Sequence, residues 1–405
     1  MPNSLPSLLL LPPPPSSVTS ESFSAAYRPP ITAAISVLKE LDSGTQLIVV
    51  LPAPTLHGRL HEPRSHVYDG VQKLVAGLYS LICAVCVGSG VDVDSDLPGS
   101  VDARVLILDY DPSRSVSEEQ DPRFASSVSG PIIDLPTLAI SRRRWNTIFS
   151  VDGEDGQMLL SRFLYLANQI SPPLQVQLIS VSGGVSMIQK EAILRPPLQS
   201  KVHHVVIVGG TFDNIHAGHK LLLTATALLL QPVTNLSSRP RRLIVGITGD
   251  ELLKNKKYAE FLKSWKQRQD DVVDFLLSIL SFARRDEEIR TQSFDEAIVN
   301  GKAIHTYLES CMLTIECVEI QDPFGPTITD EDITALVVSG ETRSGGKAVN
   351  DKRVEKGWHS LEVFEIDVLD AGETVQGATE TDFASKISST AIRKRKAENA
   401  GTSSL

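Results

Sequence analysis

Cysteine is scarce in this chain, with four among 405 residues. So few thiols over such a length build no disulfide framework, which suits a reducing compartment. Cys83 and Cys86 form a C-x-x-C in "LICAVCVG", but their neighbours are apolar and no second Cys or His pair stands at a metal-ligand spacing. They read as small buried hydrophobes rather than as a zinc or redox site. Aromatics are sparse, at 5%. Excess positive charge is missing too: 39 Lys and Arg face 49 Asp and Glu, a formal net charge of -10. A nucleic-acid backbone is gripped by Lys and Arg neutralising its phosphates, so general nucleic-acid binding is excluded and only local basic clusters remain to serve phosphates. No apolar run approaches the roughly 18 uninterrupted residues of a membrane span. The opening "SLLLLPPPPSS" lacks a basic n-region and its prolines stop a helix, so it does not read as a secretory signal. The expectation is a soluble, cytoplasmic protein without membrane partners; "RKRK" at 393–396 leaves a nuclear location open.

What is present is an ordinary globular composition, 41% hydrophobic and 22% charged, over a length that fits two or three domains. Residues 1–30, rich in Pro and Ser, read as a disordered leader. Residues 31–195 read as an N-terminal α/β domain of unknown role. There "QLIVVLP" and "ARVLILDYD" have the apolar continuity of buried strands, and "VYDGVQKLVAGLYSLICAV" and "GQMLLSRFLYLANQI" have helical spacing. His57, His61 and His66 lie close together in "TLHGRLHEPRSH". With an intervening proline and no cysteine, they read as a solvated loop rather than a metal site. "RPPLQSK" (195–201) marks a boundary. Beyond it strand "HVVIVGG" leads to helix "HKLLLTATALLL", and strand "RLIVGIT" to helix "WKQRQDDVVDFLLSILSFA"; strands "LTIECVEI", "ALVVSG" and "LEVFEIDVL" follow. Such alternation predicts a parallel, Rossmann-like sheet over 203–398, with ligands bound beyond the carboxyl ends of the strands. "QPVTNLSSRPRR" (231–242) and "RRDEEIRTQSFDEAIVNGK" (284–302) read as exposed insertions, and 399–405 as a tail.

The chemistry concentrates in "GGTFDNIHAGHK". Gly209 and Gly210 let the backbone turn sharply and approach a ligand, and Asp213 or Asn214 can cap the helix that follows. His216 and His219 fall on one face of its first turn. They can be metal ligands, packing residues or phosphate donors. A metal needs further ligands and the zinc-protease pattern needs i,i+4 spacing with a Glu. Two nitrogen donors beside the positive end of a helix suit a phosphate best.

These residues resemble the T-F-D-x-x-H-x-G-H signature of the HIGH-type nucleotidylyltransferase superfamily. The second superfamily signature, I-S-S-T-x-I-R, is matched by "KISSTAIRKR" at 386–395, with Ser388, Ser389, Thr390 and Arg393 at a helix start. Three further stretches, "VGITGDELLKNKK", "QDPFGPTITD" and "VVSGETRSGGKAVNDKR", look like the phosphopantetheine adenylyltransferases of eukaryotes. The resemblance covers about residues 203–398. It implies AMP transfer from ATP to 4'-phosphopantetheine, giving 3'-dephospho-coenzyme A and pyrophosphate, with Mg2+ accompanying ATP. Positioning and charge neutralisation would then supply the catalysis.

By the same resemblance His216 and His219 bind the triphosphate, and Thr211 orients the attacking phosphate. Lys254, with Lys256 or Lys257 as alternates, is the charge between acceptor and α-phosphate. Ser388, Ser389 and Thr390 hold the outer phosphates with Arg393 nearby, and Asp322 lines the path of the pantetheine arm. Gly210, Phe212, Gly340, Thr342 and Arg343 complete the expected nucleotide contacts. The rival enzymes are HIGH-type transferases using CTP with a phosphocholine-like acceptor, or nicotinamide mononucleotide; the rival class is a scaffold whose N-terminal domain recruits other coenzyme A enzymes. In "GETRSGGKA" Gly346 displaces the P-loop lysine and Ala348 replaces the needed Ser or Thr. A kinase step is therefore expected on another polypeptide.

Overall fold

Continuous apolar runs become the inner strands of two sheets. The computed structural model describes residues 5–15, 19–57, 59, 62–93, 97–113, 130–141, 143–169, 174–185, 201–232, 239–282, 289–298, 301–366, 369 and 388–402. His61 and most of the "RPPLQSK" boundary lie outside the described residues.

The first sheet contains β1 (Ser7–Leu10), β2 (Thr45–Pro52), β3 (Val101–Asp109), β4 (Ile132–Asp134), β5 (Thr147–Val151) and β6 (Gln177–Val181). Its order is β4-β3-β2-β1-β5-β6 and every pairing is parallel. Helices α1 (Ser20–Leu38), α2 (Tyr68–Gly88), α3 (Leu135–Ile140) and α4 (Glu154–Ala167) connect these strands. The expected disordered leader is thus corrected. Ser7–Leu10 pairs with both β2 and β5, and Leu8, Leu9 and Leu10 are fully buried. A strand covered on both faces needs only an unbroken apolar run, and four residues suffice when a neighbour pairs on each side.

The prolines also mislead. Pro29 and Pro30 lie inside α1, where each removes a hydrogen bond to the carbonyl four residues earlier. Those carbonyls, on Ala25 and Ala26, are covered by Gly184, where any Cβ would collide with them. α2 is long and apolar enough, by length and composition, to cross a membrane. In this structure it packs against α1, β3 and the second domain.

The second sheet contains β7 (Val205–Gly210), β8 (Arg241–Thr248), β9 (Arg290–Ile298), β10 (Gly301–Leu308), β11 (Leu313–Ile320), β12 (Ala335–Val338) and β13 (Glu362–Glu365), ordered β13-β12-β7-β8-β11-β10-β9. Around it lie α5 (Ala217–Leu229), α6 (Trp265–Leu280), α7 (Arg343–Glu355) and α8 (Ser389–Thr402). The α/β, Rossmann-like architecture preceded by a second α/β domain is as expected.

The stretch read as an insertion at 284–302 instead supplies β9 and the start of β10, which join the edge of the sheet as an antiparallel hairpin. α8 runs on to Thr402, into the span expected to be a tail. From β7 the chain winds to β8 and β11 on one side, and β12 and β13 lie on the other. The switch point therefore falls between β7 and β12, where an open α/β sheet forms its ligand crevice.

Candidate active site

A cleft of about 860 Å3 opens at that switch point. Gly209, Gly210 and Thr211 line it from the end of β7, Val338, Ser339 and Gly340 from the end of β12, and Thr248 from the end of β8. His216, Gly218 and His219 contribute from the first turn of α5, and Ser388, Ser389, Thr390 and Arg393 from the start of α8. Two segments far apart in sequence thus bring two helix N-termini to one cavity.

His216 is the N-cap residue of α5, in extended conformation, and no side chain caps the helix. The expected cap from Asp213 or Asn214 is absent. Among the described residues the first-turn N–H groups have no side-chain cap, the condition that makes a helix end an anion site. The two imidazoles stack at 3.9 Å between ring centroids, tilted by 22°. Gly218 permits this, because a Cβ there would lie 3.2 Å from Cε1 of His216. Nδ1 of each ring is buried without a hydrogen-bond partner.

Burial pushes His219 down to about 4, with the Asp213 carboxylate and the Asn214 backbone opposing it in part. Burial, then the neighbouring His219 and Lys220, hold His216 well below the ordinary imidazole range. Both rings are therefore neutral at pH 7. Their unused nitrogens suit an arriving anion, which favours protonation of the ring it touches. Among the described residues no group of three or more His, Cys, Asp or Glu could hold a metal.

The turn before α5 is strained and bolted. Phe212 and Asn214 take φ of 51° and 50°, and a left-handed backbone at a bulky residue costs on the order of 1–3 kcal/mol. The neighbours hold it there. Arg393 Nη1 donates to Asp213 Oδ2 at 2.6 Å with both side chains buried. Ser389 Oγ donates to the Asp213 carbonyl at 2.7 Å, and Lys396 Nζ to Asn214 Oδ1 at 2.5 Å. Arg268 Nη1 donates to the Thr211 carbonyl at 2.6 Å while its Nη2 reaches the Thr248 carbonyl at 2.8 Å and Asp250 at 2.7 Å. The two signatures are one mechanical unit.

Several expected contacts move. Thr211, His216, His219, Gly340, Thr342, Ser388, Ser389, Thr390 and Gly210 line the cleft. Arg393 lines it too, but its guanidinium is committed to Asp213, Thr390 and the Lys257 carbonyl. Phe212 is fully buried behind the wall and packs on His219 at 5.3 Å. Lys254 is corrected: its side chain is 66% exposed and paired with Glu251, and Lys256 is the lysine at the cleft. Arg343 points outward into a bidentate pair with Glu365 at 2.6 Å. Asp322 caps its own turn, accepting from Phe324 and Gly325 N–H at 2.7 and 2.8 Å; Pro323, Phe324 and Pro326 line the wall instead.

Sequence reasoning missed Arg268 and Arg353. Arg268 sits on the buried stripe of α6 with Trp265, Val272 and Phe275. A charge at an apolar position was the available signal. Arg353 donates to the carbonyls of His359, Thr327, Asp330, Glu331 and Ile333, tying α7 to the loop after β11.

Comparison with known proteins follows this division. Residues 207–395 match a family described as Cytidylyltransferase-like. This half is similar to that family. Residues 1–187 match a family described as a domain of unknown function (DUF8446). An uncharacterized protein of Schizosaccharomyces pombe is 38% identical over 194 residues, 48% of each chain. The phosphopantetheine adenylyltransferase of Saccharomyces cerevisiae is 34% identical over 49% of this chain and 50% of its own. That of Pyrococcus abyssi is 28% identical over 46% of this chain and 87% of its own. The matched region spans about half the length of the two yeast relatives.

Proposed function

We propose that the cytidylyltransferase-like domain transfers AMP from ATP to 4'-phosphopantetheine, forming 3'-dephospho-coenzyme A and pyrophosphate. The observation that carries this reading is the convergence of two helix N-termini on one cleft that continues between apolar walls. The α5 and α8 ends, with His216, His219 and Ser388, suit a triphosphate. Ile320, Pro323, Phe324 and Pro326 form an apolar wall suited to a pantetheine arm. A phosphate oxygen of the acceptor attacks the α-phosphorus, and the bond to the oxygen bridging the β-phosphate breaks as pyrophosphate leaves. Charge growing at the α-phosphate is met by the imidazoles and by Lys256, which takes the role first given to Lys254.

Among the described residues the cleft lining contains hydroxyls and no carboxylate. Mg2+ fits there when held by the phosphates themselves, where it would neutralise their charge. The relatives named phosphopantetheine adenylyltransferase support the acceptor assignment.

The test is pyrophosphate release from the full chain with ATP and 4'-phosphopantetheine, set beside CTP with phosphocholine and ATP with nicotinamide mononucleotide. Release with only one of the latter pairs overturns the reading. His219→Ala lowers the rate at least about a hundredfold, or about 3 kcal/mol of transition-state stabilisation; an unchanged rate removes His219 from the mechanism.

A further inference from the structure

Among the described residues the N-terminal domain lines no part of the cleft, yet it grips α5 and α8, which do, and α6, which holds the cleft's loops. Lys220, adjacent to His219 on α5, is 3% exposed and donates to Asp102 at the start of β3 at 2.5 Å. Arg104, on the same strand, also pairs with Asp102 and reaches across to α6, to Asp274 at 3.0 Å and Ser278 at 2.9 Å. Arg143 donates to the carbonyl of Ser281, just past the end of α6, at 2.8 Å. Arg395, two residues beyond Arg393 on α8, donates to Asp92 at 2.6 Å. Beneath these pairs the apolar core is continuous, with α2 packed on α5 and β3 on α6.

The arrangement is more than domain contact. α5 carries the two histidines, α6 carries the arginine that fixes the Thr211 and Thr248 carbonyls, and α8 carries the serines and Arg393. A buried ammonium is expensive unless paired, so Lys220 can hold the first turn of α5 in this position only with a carboxylate beside it. Asp102 supplies that carboxylate from another domain. A triphosphate site needs its two helix ends at a fixed separation, because a misplacement of about 1 Å far from the chemistry can cost on the order of a hundredfold in rate.

We propose that the N-terminal domain is a brace for the triphosphate site, with Asp102 and Asp92 as positioning residues that fix the N-terminal turns of α5 and α8 relative to each other. This rests on the functional reading above, so its test includes a readout independent of the acceptor: calorimetric affinity of the full chain for inorganic tripolyphosphate.

The rim pair is reversed in charge. Asp92→Arg and Arg395→Asp each weaken tripolyphosphate roughly three- to tenfold, raise the KM for ATP in step and leave the far-ultraviolet spectrum native; the double variant returns to within about twofold of wild type. The buried pair is removed as a unit in Asp102→Ala/Lys220→Met, which leaves no unpaired ammonium, while Arg104 keeps its second carboxylate, Asp274; a native far-ultraviolet spectrum shows that the variant folds. Its tripolyphosphate affinity falls by a similar factor. Single reversals that bind like wild type, a double reversal as weak as the worse single, or a buried-pair variant with wild-type affinity each overturn the brace. A wild type that binds tripolyphosphate but releases no pyrophosphate with ATP and phosphopantetheine defeats the functional reading instead, and the binding arms still decide the brace.

Discussion

The two halves of this chain share an architecture and differ at one turn. Each places its first strand inside a parallel sheet and follows it with a helix. After β1 the chain runs "LPPPPSS" into α1, whose N-cap Thr19 and Ser22 form a reciprocal capping box. After β7 it runs "TFDNIHAGH" into α5, whose N-cap His216 makes no capping bond. A reciprocal capping box engages two of the orphan donors internally and leaves fewer for an anion; at α8 the Ala391 N–H reaches Ser388 Oγ only at 3.5 Å. An uncapped helix end, lined by neutral imidazoles, keeps those donors for a ligand. The two halves start alike, and the turn residues decide whether the helix end is capped.

The largest test of this contrast attacks the bolt that keeps the second turn open. Asp213→Ala leaves Arg393 buried without its carboxylate, and removing one partner of a buried pair costs about 3–5 kcal/mol. Urea unfolding of variant and wild type measures it; equal stabilities would mean the strained turn is held by something else.

Next is the response to acid. His219 sits at about 4 in the folded state, against about 6.5 unfolded. Its folded value is depressed, so its neutral form favours folding above the unfolded value, and that contribution declines as pH falls from about 6.5 toward 4, by about 3 kcal/mol in all. Unfolding midpoints measured across that window fall steeply for wild type and less for His219→Gln. Parallel curves for the two proteins would remove His219 as the source.

The smallest effects exchange the two helix ends. His216→Ser places a capping hydroxyl on an N-cap that already has extended geometry. It is expected to add up to about 1 kcal/mol of stability, as a Ser cap typically does, while weakening tripolyphosphate binding about tenfold, or about 1.4 kcal/mol. The mirror change, Thr19→Ala, costs about 1 kcal/mol of stability and leaves tripolyphosphate affinity alone. Thermal unfolding and calorimetry read both; a Thr19→Ala protein with weakened anion binding would erase the distinction between the ends.

Local patterns carried much of this molecule. Apolar stretches rich in Val, Ile and Leu marked β2, β3, β7, β8 and β11, and amphipathic spacing marked α2, α4, α5 and α6. The histidine turn and the serine turn were legible because backbone-approach glycines and helix-start hydroxyls are local requirements. What misled was always non-local. Four leucines before a proline run look like a leader until β2 and β5 flank them. Lys254 and Lys256 are indistinguishable in "LLKNKK", since which of them reaches the cleft depends on the turn of the short helix ending at Leu253. Arg343 looks like a nucleotide contact until Glu365 takes it.

The sequence alone determined that two α/β units follow one another and that a glycine turn with two histidines at a helix start opens the second, because strand continuity, glycine turns and histidine spacing act within a few residues. Only the tertiary structure decided that Arg393 is a bolt rather than a phosphate hand, that Arg268 holds the cleft's loops and that Asp102 and Asp92 reach across from the other domain. The reason is physical: a charge takes its meaning from the partner beside it, and these partners arrive from 18 to 303 positions away along the chain.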